Sequence, residues 1–65
     1  MLKQNARYHY GIKKHICGTA YINDFFVTDL DFKPLSYIYK ESANFICEEL
    51  QKKDTRSRYY VARLD

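Results

Sequence analysis

Sixty-five residues with 46% hydrophobic and 17% aromatic content describe one folded domain spanning 1–65, not a disordered tail. Two cysteines are too few for a secreted disulfide framework, and no apolar run reaches the roughly 18 residues of a membrane span. A net charge of +3, from eleven Lys/Arg against eight Asp/Glu, is mild for a dedicated nucleic-acid binder.

The opening "MLKQNARYHY" lacks the apolar core of a signal peptide, so the expected location is the cytoplasm, with reduced thiols. From Arg7 to Lys13 the chain alternates strictly, Tyr8, Tyr10 and Ile12 against Arg7, His9, Gly11 and Lys13. Period two with aromatic and β-branched residues predicts a half-buried strand. Tyr8, Tyr10 and Ile12 are expected inward, and His9, Lys13, Lys14 and His15 toward water. Lys14 to Gly18 is the expected turn. "ICGTAYIND" carries further strand formers, and a break at Asn23-Asp24 would make "FFVT" a short separate strand or a bulged continuation.

"DLDFKP" reads as a connection, with Pro34 biasing Lys33 away from helix. The reading then forks: one long helix could run from Pro34, proline suiting the first helical position, or the segment at 36–39 could be extended with the helix starting near Lys40, the start that Tyr-Ile-Tyr favours by composition. Ala43, Ile46, Cys47 and Leu50 then form one apolar stripe at i, i+3, i+4 and i+7. Glu41 near the start and Lys52 and Lys53 near the end suit the helix dipole. Asp54 to Ser57 breaks the pattern. "RYYVARLD" closes the chain as a strand, Tyr60, Ala62 and Leu64 on one face, Tyr59, Val61 and Arg63 on the other. The order is β-β-(β)-α-β, an α+β fold with one helix on one face of an antiparallel sheet of three to four strands.

His9, His15 and Cys17 are metal-ligand types, but they lack the two close pairs of a structural zinc site. Cys17 beside a histidine suggests a nucleophile and base. The chain carries no nucleophile elbow or glycine-rich loop and has little mass to exclude water, so no enzyme, metal or cofactor is expected. Lys13, Lys14, Tyr8, Arg56, Arg58 and Arg63, with Tyr59 and Tyr10, would suit single-stranded nucleic acid if they shared a face. Basic residues beside strands also serve to keep sheet edges soluble.

Protein binding is the favoured reading. Phe45 lies roughly 200° around the helix from Ala43, away from the apolar stripe. Tyr37, Tyr39, Phe25 and Phe26 add more aromatic surface than one helix covers. With Arg56 and Arg58 they have the composition of an interface. The expected partners are another protein and a second copy of the chain, with a small nucleic-acid-binding regulator as the alternative.

"TAYINDFFVTD", "YKESANFICEEL" and "RYYVARL" together resemble the small β-β-α-β accessory proteins of bacteriophages and other mobile elements. The resemblance spans nearly the whole chain and carries no catalytic or binding signature. It implies a protein that blocks one host protein, as members directed at CRISPR effectors and other defence enzymes do.

Overall fold

The computed structural model of the chain describes residues 9–64. Arg7 and Tyr8, both named above, lie outside them. Strand β1 (Tyr10–Ile16) is central, flanked by β2 (Phe25–Phe26) and β3 (Ser57–Arg63) in the order β2-β1-β3, all antiparallel. One helix, α1 (Lys40–Lys53), packs over β3 and β1. This is the expected small α+β fold. β1 begins at Tyr10 and runs to Ile16, so the turn falls at Cys17-Gly18. Gly18 takes a φ of +94°, a region where a Cβ is costly. Thr19 closes that turn, its hydroxyl donating to the Ile16 carbonyl at 2.6 Å.

The helix starts at Lys40, after the extended 37–39 segment. Tyr37 bridges Tyr10 through paired backbone hydrogen bonds of 2.8 and 2.9 Å, which holds it extended. Ala43 and Cys47 are buried and Ile46 and Leu50 half-buried, so the predicted stripe is the packed one. Beneath it lies Ile12, fully buried. The register sets Ile12 against Val61 and Lys14 against Tyr59, which places all four on the helix side of the sheet, so Lys14 is half-buried against Asp54 there and not turned to water as expected.

Asp54 links three elements where α1 ends. Its Oδ2 accepts the Tyr59 hydroxyl at 2.8 Å and lies 3.4 Å from Lys14 Nζ, while its Oδ1 accepts the Arg56 N–H at 3.0 Å. The Tyr59 bond foremost, with the Arg56 and Lys14 contacts, outweighs burial and holds this carboxyl down at about 2.

The opposite face corrects one expectation. His15 is 7% exposed rather than turned to water. The segment after the turn folds back over it: Tyr21 stacks on the imidazole with centroids 4.0 Å apart, and Asp24 Oδ1 sits 2.7 Å from His15 Nδ1. A buried imidazole is tolerated here because its polar atom is partnered. Gly11, on this same face, lets Phe26 and Leu64 close over the sheet. A Cβ there would come within 2.9 Å of the Phe26 ring.

Candidate functional site

Among the described residues, two apolar features open to solvent are built by the local fold. The first is the tip of the loop after β2. Thr28 bridges Pro34, and the Leu35 N–H donates to the Val27 carbonyl at 3.0 Å, so the loop is a narrow ribbon. Asp29 organises its end. Its Oδ1 accepts the N–H groups of Asp31 and Lys33 at 2.8 and 3.1 Å, and its own N–H donates to the Lys33 carbonyl at 2.8 Å. This is the aspartate-centred turn that a short polar side chain makes with its own backbone. Leu30, 97% exposed, and Phe32, 87% exposed, project from that frame. Phe32 adopts φ +63°, which costs a bulky residue on the order of 1–2 kcal/mol.

The second feature is a groove of about 510 Å³ between α1 and the 37–39 segment. Tyr37, Phe45 and Ile46 supply its apolar walls, and Glu41 and Ser42 its polar rim. Phe45 is 61% exposed and Tyr39 is exposed beside the helix start. The structure thus brings Tyr37 and Phe45 to one groove. Phe25 is exposed on β2, and Arg56 and Arg58 are exposed at the turn into β3, away from that groove in the fold.

The basic residues divide. Lys13 and Lys14 are adjacent on a strand, so they leave opposite faces. Lys13 Nζ stands 5.0 Å from the centre of the Phe26 ring, and Lys14 is engaged with Asp54 and Tyr59. Burial lowers the affinity of Lys14 for its proton, but Tyr59 and Asp54 outweigh it and hold the amine above its ordinary value. Arg58 shares the face of Lys13, and Arg63 that of Lys14. Tyr8 lies outside the described residues.

A depression of about 520 Å³ lies at the start of β3, with His15, Cys17, Arg58 and Tyr60 in its walls. His15 is oriented by Asp24, yet no hydrogen bond joins it to Cys17. Among the described residues no three His, Cys, Asp or Glu side chains gather into a metal-holding group. No helix among them is long and apolar enough to cross a membrane.

Leu30 and Phe32 are not among the contact residues expected from the sequence, where "DLDFKP" reads as a plain connection. The signal was present: an aspartate able to bond N–H groups two and four residues on, with apolar residues between polar ones. No family model, curated protein or solved structure matches the chain.

Proposed function

We propose that this chain works by binding another protein through exposed apolar side chains, without catalysing a reaction. The observation that supports this most is Phe32. An aromatic held at positive φ and left in water serves neither the core nor the turn, which glycine or asparagine would make at lower cost. Strain of this kind accumulates where function uses the displayed group. Leu30 beside it and the Tyr37–Phe45 groove supply the aromatic and aliphatic anchors that dominate interfaces.

The partner in this reading is a larger bacterial protein, and a second copy of the chain is the other occupant to measure. Resemblance to small phage and mobile-element proteins directs the search to bacterial defence and nucleic-acid-processing enzymes, whose surface the domain would mask one to one. The basic residues lie on both faces of the sheet, which favours this reading over nucleic-acid binding.

Affinity capture from bacterial lysate with three variants tests it. The partner should be retained by the unaltered chain and by Lys13→Ala/Lys14→Ala, and lost with Phe32→Gly and with Phe45→Ala. Loss with the lysine pair alone, together with salt-sensitive binding of a single-stranded oligonucleotide, would favour the nucleic-acid regulator instead.

A further inference from the structure

Part of the outer edge of β3 is closed by a side chain. In an antiparallel ladder alternate residues turn their peptide groups to opposite sides. The Leu64 N–H donates to the His9 carbonyl at 2.8 Å, so Arg58, Tyr60, Ala62 and Leu64 face β1. Ser57, Tyr59, Val61 and Arg63 therefore turn their peptide groups outward. Gln51 of α1 meets two of these. Its Nε2 donates to the Ser57 carbonyl at 2.7 Å, and its Oε1 accepts the Tyr59 N–H at 3.0 Å. The same Nε2 donates to the Asp54 carbonyl at 2.9 Å. A residue of a neighbouring parallel strand would make the first two bonds with its own peptide groups. The primary amide carries the same donor and acceptor side by side, and stands in for it.

We infer that Gln51 is an edge guard, and that the occupant it excludes is a second copy of this chain. β3 is self-complementary. Antiparallel pairing about a two-fold at Tyr60 sets Tyr59 opposite Val61 of the second copy and Arg58 opposite Ala62. No arginine meets an arginine directly, and a favourable aromatic–β-branched pair occurs twice. That register requires the Tyr59 N–H, which Gln51 holds. An unguarded edge strand of this length is a template for such pairing. The guard concerns the sheet edge and stands apart from the apolar tip and groove.

Gln51→Met keeps the stem and length of the side chain and removes both hydrogen-bonding groups. Sedimentation equilibrium should find it self-associating at least about tenfold more tightly than the unaltered chain, from the ladder bonds released on each copy. Adding Val61→Pro removes an outward N–H without touching the ladder to β1, and should return the mass to that of the unaltered chain. A folded Gln51→Met with unchanged mass at every concentration overturns the inference, as does association that Val61→Pro leaves intact. If Gln51→Met does not fold, amide exchange in the unaltered chain decides. Tyr59 exchanging much more slowly than Val61 supports a closed edge, and equal rates overturn it.

Discussion

The Tyr60 hydroxyl donates to Asp24 Oδ2 at 2.5 Å, joining residues 36 positions apart, while the other oxygen of that carboxylate holds His15. Asp24 is thus the clasp between the folded-back segment and the sheet. Removing it leaves a buried imidazole with no partner, whereas removing the Tyr60 hydroxyl leaves the His15 contact whole. Asp24→Ala should therefore lower the urea midpoint more than Tyr60→Phe does, and an equal loss would deny the clasp its role.

Acid should weaken the fold through two carboxylates. Asp54 sits at about 2. Burial pushes Asp24 up, but hydrogen bonds from Tyr60 and His15 and the charges of His15 and Lys13 outweigh it, so it too lies below its ordinary value. Both folded values lie below the unfolded one. Their stabilisation is full above about pH 4 and is lost as pH falls through the folded values. Urea midpoints measured from pH 7 to pH 2 should show this limb. Asp54→Asn should be less stable than the unaltered chain at pH 7 and indistinguishable from it near pH 2.

The two thiols should react at different rates. Cys17 is exposed in the turn after β1, while Cys47 is buried on the packed face of α1, its thiol pushed up by burial and by Glu48. A thiolate-seeking reagent at pH 8 should label one cysteine quickly and the second only as fast as the domain opens. Two fast equivalents would place Cys47 outside the core.

Core and surface should separate cleanly. Ile12→Ala empties the centre of the packed layer and should cost about 2–5 kcal/mol. Phe45→Ala, at an exposed helix position, should stay within about 0.5 kcal/mol. Gly11→Ala drives a methyl against Phe26 and Leu64 and should cost about 1–3 kcal/mol. Denaturant unfolding of the three variants checks all of these values.

Phe32→Gly should raise stability by about 1 kcal/mol, because glycine takes the left-handed conformation without a Cβ clash. Gain of stability with loss of partner binding is the signature of a strained contact residue. A variant that loses stability would mean that the ring packs against the domain.

Much of the fold was legible because it is written in local periods. The stripe of Ala43, Ile46, Cys47 and Leu50 specifies the packed face of α1, and the alternation of Tyr59 to Leu64 specifies β3. The burial of His15 is not legible, because alternation on β1 points to one packed face. The second face is closed by Tyr21 and Asp24, whose return over the sheet leaves no periodic trace. Gln51 was equally silent: a side-chain amide acting as a strand has no spacing to betray it. The groove was half legible, since the helical angle of Phe45 gave its exposure but nothing local placed Tyr37 beside it.

The sheet's strand order also governs how the domain comes together. β1 lies in the middle, yet β2, its neighbour close in sequence, is two residues long, and β3, its long partner, is separated from it by the whole of α1. Tyr10 pairs with Arg63. Closing so wide a loop precedes nearly all the reward of the ladder, which makes the search slow for a chain of this size. The helix cannot wait on a finished sheet, because β3 forms much of the floor it covers. Assembly is therefore a single concerted event, and a cut anywhere between α1 and β3 should abolish the sheet and the helix together.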